Sequence, residues 1–102
     1  MTSSYLPIRY REFYDIPRVF IVDWNGAIYL FESPFDNDRD EYQPNYSAYR
    51  LGEDLRERFD DVSWTDLAIL GEPLGSVDTG LVEFDPTRRE LVNASVFEHL
   101  GL

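Results

Sequence analysis

Three carboxylates at alternate positions, Asp36, Asp38 and Asp40, with Glu41 directly after them, are the side chains of this chain best placed for chemistry. They have the one-three-five spacing of a calcium loop, whose hard oxygens surround the ion. The rest of that pattern is not met. The sixth position is Glu41 where the loop needs glycine, the twelfth is Ser47 where a bidentate glutamate belongs, and Pro44 intervenes. The same run is framed by rings, Phe35 and Tyr42, and followed by Tyr46 and Tyr49. Aromatic rings offer contact area, tyrosine adds a hydrogen-bonding tip, and neighbouring carboxylates attract Lys or Arg of a partner. Phe35, Asp36, Asp38, Asp40, Glu41, Tyr42, Tyr46 and Tyr49 therefore form the expected partner-binding face. Calcium binding, or a small enzyme centre, on Asp36, Asp38 and Asp40 is the alternative.

Other catalytic chemistry has little to build on. His99 is the single histidine and lies near the end of the chain, where a helix-end charge explains it better than a general base. No serine stands in a nucleophile elbow. Twenty acidic residues supply carboxylate pairs by chance, and the chain is small for a substrate cleft. Gly71, Gly75 and Gly80 do not follow a phosphate-loop spacing, and there is no lysine to reach a phosphate. With no cysteine, disulfides, thiolate nucleophiles and Cys-based zinc or iron-sulfur sites are excluded. No cofactor is expected.

The charge is the strongest compositional statement. Nine arginines face twenty acids, giving a formal net charge of -11. Such a field repels phosphate backbones, so direct nucleic-acid binding is disfavoured. Residues 1–34 hold three arginines against four acids, residues 35–66 four against ten, and residues 67–102 two against six. The middle third is the acidic pole, suited to steering a basic protein partner. The start Met1-Thr2-Ser3-Ser4-Tyr5 lacks a basic segment followed by an apolar run, and no apolar stretch approaches the ~20 residues that cross a bilayer. A cytoplasmic protein without membrane contact is expected.

The elements that must carry these residues read as follows. Leu6 to Tyr14 alternates as a half-buried edge strand, a natural seam for a homo-oligomer. Arg18 to Trp24 and Ala27 to Phe31 are β-branched and aromatic runs joined by Asn25-Gly26, the signature of a type I′ hairpin. Ser33-Pro34 ends the second run, and the acidic stretch opens a long connection to Pro44. Tyr46 to Leu51 is a further strand, and Glu53 to Phe59 a short helix with acids first and arginines last. Ser63 caps a helix over Trp64 to Leu70, with a strand as the alternative there. Trp24 and Trp64 are expected in the core. Gly71, Pro73 and Gly75 mark a loop, Gly80 to Phe84 a strand that turns at Asp85-Pro86, and Glu90 to Val92 its return. Asn93 caps a final helix from Ala94 to Leu100, closed by Gly101.

The sum is a single α+β domain over residues 1–102, with a mostly antiparallel sheet of about five strands and two or three short helices on one face. In size, acidity and lack of a catalytic motif, the chain is similar in composition to several classes of small bacterial inhibitors. These include immunity proteins that neutralise basic nuclease toxins and proteins that mimic DNA by spacing carboxylates like phosphates. That likeness implies a non-enzymatic, acidic protein-interaction module, of inhibitor or immunity type, for a basic partner.

Overall fold

Two apolar runs organise the molecule. The structure, a computed structural model, describes residues 5–102, so the stretch Met1–Ser4 read above lies outside it. Strand β1 spans Tyr5–Tyr14, β2 Ile16–Trp24 and β3 Ala27–Glu32. β2 and β3 are joined by the expected turn: Trp24 pairs with Ala27, and Asn25 and Gly26 take φ of 49° and 77°. Both central residues of a type I′ turn need a positive φ, and glycine adopts it without strain.

The acidic stretch folds into two short strands, β4 (Phe35–Asp36) and β5 (Glu41–Tyr42). β6 covers Asn45–Leu51, a 3-10 turn Glu53–Arg58, α1 Trp64–Leu70, β7 Glu72–Asp78, a second 3-10 turn Thr79–Leu81, β8 Leu91–Asn93 and α2 Ser95–His99. The main sheet has six strands in the order β7-β6-β3-β2-β1-β8, every neighbour antiparallel. The α+β class holds.

The helices do not share one face. In β2, Phe20 and Val22 point to one side and Val19 and Ile21 to the other; in β3, Tyr29 and Phe31 oppose Ile28 and Leu30. All eight are buried. A strand covered on both sides reads as a continuous apolar run, and both runs here have that form. One face is largely aromatic: Phe20 stacks on Phe31 at 4.9 Å, Tyr46 meets Phe20 edge-on at 5.4 Å, and Phe97 of α2 stacks on Trp24 at 4.2 Å. The other face is mostly aliphatic and is covered by Leu55, Phe59, Trp64, Leu67 and Ala68 from the 53–70 segment.

Local rules explain the ends. Ser63 accepts a hydrogen bond from the Asp66 amide at 3.2 Å, which selects helix over strand for 64–70. Gly71 lets the chain pass close to β6, since a Cβ there would lie 3.0 Å from Tyr49 Cβ and from Leu51 Cδ2. The expected loop around Pro73 is instead the edge strand β7, where a missing N–H is tolerated. The pairing jumps from Ala48–Gly75 to Tyr49–Pro73, leaving Leu74 as a bulge.

The expected strand over 80–84 is also replaced. The Thr79 amide donates to the Pro44 carbonyl at 2.9 Å and the Gly80 amide to Asp78 Oδ1 at 2.8 Å, so the chain turns there and only Phe84 bridges to Val92. Asn93 Oδ1 accepts from the Ser95 amide at 2.9 Å and starts α2. β1 is an edge strand only in part, because Tyr5–Pro7 pair with Leu91–Asn93 of β8. Beyond that, Glu12 takes φ 57° within β1, an irregularity on the strand's free edge, and pairing with β2 resumes at Phe13.

Because each sheet face has its own cover, truncating either cover should matter. Leu67→Ala and Phe97→Ala are each expected to lower stability by about 2–5 kcal/mol in urea unfolding, the range for cavities in a core. An unchanged midpoint for one of them would mean that its face is not covered as described.

Candidate functional site

The acidic stretch is a tight ribbon and not an open connection. Asp36 Oδ1 accepts from the amides of Asp38 (3.0 Å) and Arg39 (3.3 Å), closing a turn that pairs Phe35 with Tyr42 and Asp36 with Glu41. Aspartate favours such turns because its short side chain reaches the backbone two residues on. Asp36 is therefore used within the fold. Among the described residues, no three histidine or carboxylate groups converge in a way that could hold a metal ion.

Ser33 ties the ribbon to the sheet. It is 1% exposed, and its hydroxyl donates to the Gln43 carbonyl at 2.8 Å while accepting from Arg18 Nη1 at 3.3 Å. The Ser33 amide donates to the Arg18 carbonyl at 2.7 Å, and the Gln43 amide to that of Pro34 at 2.9 Å. Arg18 in turn donates from Nε to the Tyr14 carbonyl at 3.0 Å, and its guanidinium lies 4.6 Å above the Tyr42 ring. The ribbon is thus clamped against the β1–β2 turn.

This clamp assembles an aromatic cleft. Tyr14 stacks on Tyr42 with centroids 5.5 Å apart, and Phe35 meets Tyr42 edge-on at 5.1 Å. With Arg18, Asp40 and Glu41 they line an open depression of about 550 Å³. Tyr14 is 60% and Phe35 44% exposed, so both rings present open faces at this depression. Glu41 pairs with Arg39 at 3.3 Å, both side chains more than half exposed, a contact that is easily exchanged.

Of the residues expected to bind a partner, Phe35, Asp40, Glu41 and Tyr42 come together here. Asp36 turns the ribbon, and Asp38 is exposed on the turn. Tyr46 is corrected outright. It is completely buried, edge-on to Phe20 and Phe31, and its hydroxyl donates to the Pro17 carbonyl. Burial pushes its phenol well above the usual tyrosine range. Tyr49, its neighbour but two, is half-buried against the opposite, aliphatic face. Alternation along β6 forces one of this pair into each core, so neither can join the ribbon. Tyr14 and Arg18 were missed. The signal available was Glu12-Phe13-Tyr14-Asp15, which mixes rings and acids as the ribbon does and precedes a turn.

No family model, curated protein or solved structure matches this chain.

Two substitutions test that geometry. Ser33→Ala should accelerate amide exchange at Gln43 while leaving the β2–β3 amides protected, with a stability loss of about 1–3 kcal/mol from the unpaired Gln43 carbonyl. Uniform acceleration across the sheet would contradict a local clamp. Tyr46→Phe should cost about 1 kcal/mol at neutral pH. The unfolded phenol ionises near pH 10 while the folded one resists, so this tyrosine's contribution is complete below pH 10 and lost as pH rises above it. The stability gap between wild type and Y46F should shrink above pH 10 by up to about 1.4 kcal/mol per pH unit, measured by denaturant titration. A gap that ignores pH would show that the buried phenol is not the cause.

Proposed function

We propose that the protein is a cytoplasmic, non-enzymatic, acidic protein-interaction module whose binding face is the aromatic cleft at the ribbon. The observation that carries this reading is the meeting of three rings, Tyr14, Phe35 and Tyr42, with Asp40 and Glu41 around one open depression. Exposed tyrosines backed by a rigid sheet give a partner area without much ordering cost, which is how interface anchors work. The formal charge of -11 supports a basic partner, since complementary fields raise the encounter rate and reject acidic competitors. An inhibitor or immunity-type role is the biological form that such a surface suits.

The test uses the whole chain immobilised, with extract from the source organism passed over it. A basic protein should be retained by wild type and lost on the combined Phe35→Ala, Asp40→Asn and Glu41→Gln substitutions. The same protein, purified, should bind in calorimetry with an affinity that falls as salt is raised. Retention indifferent to those three changes, or no saturable binding by the purified candidate, would overturn the reading.

A further inference from the structure

We infer that the cleft at Tyr14, Phe35 and Tyr42 receives an arginine side chain of the partner, in preference to lysine. This rests on the reading of the cleft as a protein-binding face and specifies what enters it.

The protein's own arginines display the chemistry. Arg18 lies 4.6 Å above Tyr42 at the wall of this cleft, and Arg11 lies 4.4 Å above Trp64 on the opposite face of the sheet. In both places a guanidinium stacks on a ring while its N–H groups donate to carbonyl oxygens: Arg18 to Tyr14, Arg11 to Phe59 at 2.8 Å. Arg18 is spoken for by the Tyr14 carbonyl and the Ser33 hydroxyl, so it serves as wall and not as occupant. The surfaces left open are those of Tyr14 and Phe35, the two most exposed rings of the cleft.

The rim supplies the counter-charge. Among the described residues no hydrogen bond or ion pair engages the Asp40 carboxylate, and Asp40 is held outward on a left-handed backbone at φ 54°. Glu41 has only the exposed Arg39 contact to give up. A guanidinium suits this combination for two reasons. It is planar and weakly hydrated, so it can lie on a ring without shedding a tight water shell, and its fork of donors matches a carboxylate while stacked. A lysine ammonium is a compact, strongly hydrated point charge, and would gain the rim's attraction but little from the rings.

The experiment titrates two short unstructured peptides of equal charge, one with arginines spaced by glycine and one with lysines at the same positions, into the isotopically labelled full chain. The arginine peptide should shift the ring resonances of Tyr14, Phe35 and Tyr42 saturably and bind about two- to fivefold more tightly than its lysine twin, the size of an exposed cation–π contact. Phe35→Ala should erase the difference between the peptides, and Asp40→Asn should weaken both; both sites are exposed, and unchanged β2–β3 resonances certify the fold. Equal, salt-sensitive binding of the two peptides would overturn the arginine preference while leaving an acidic interaction surface intact. Binding of neither peptide, or shifts confined to residues away from the cleft, would remove both.

Discussion

Burial of the β2–β3 hairpin on both of its faces is the constraint on which the rest of the structure depends. Val19 to Val22 and Ile28 to Phe31 place apolar groups above and below the sheet at consecutive positions, all within a few per cent of complete burial. A sheet with one wet face could leave half of these exposed; this one requires two covers. The 53–70 segment supplies one. Val82, Val92, Val96 and Phe97 from the last part of the chain supply the other. β6 and β7 extend one edge and β1 and β8 the other, and the β6–β7 connection carries the cover of the aliphatic face.

Arginine does much of the fastening in this lysine-free chain. Arg11 lies over Trp64 and donates to the carbonyls of Phe59 and Val62, while Trp64 Nε1 donates to that same Phe59 carbonyl at 2.9 Å. Arg56 joins Glu53 and Asp23 at 2.6 Å each, holding the first 3-10 turn to the end of β2 and drawing the Glu53 carboxyl below the usual range through its hydrogen bond. Arg89 reaches the Asp15 carbonyl at 3.2 Å. Planar, multidentate donors satisfy loop carbonyls that a point charge would leave unpaired. They also place positive charge beside carboxylates on the surface of a strongly acidic protein, where it offsets their mutual repulsion.

The ribbon shows how a surface feature inherits its rigidity. β4 and β5 are two residues each, too short to persist alone. They hold their place because buried Ser33 and half-buried Arg18 anchor the ribbon's base, and because Tyr42 is gripped between Tyr14, Phe35 and Arg18. A cleft built in this way is preorganised without a core of its own.

Much of the fold was legible in local sequence. The Asn25-Gly26 turn, the serine cap at Ser63 and the strand through Tyr46 to Leu51 each follow from the chemistry of a few adjacent residues, and each stands where that chemistry puts it. The apolar runs of β2 and β3 were legible as strands, but the expectation of helices on one face missed that both faces are covered. Long-range pairing was not legible. β1 and β8 are adjacent only because residues more than eighty positions apart share an edge, and Pro73 enters a strand because β7 pairs with β6 through a bulge at Leu74. The site divides in the same way. Composition by itself determined that the chain is acidic, aromatic and free of lysine and cysteine, since those are sums over residues. Tertiary structure alone decided which rings stay exposed: Tyr46 was drawn into the core by strand alternation, and Tyr14 was brought to Tyr42 by the Arg18–Ser33 clamp. Exposure depends on which other elements arrive to cover a side chain, and no local pattern contains that.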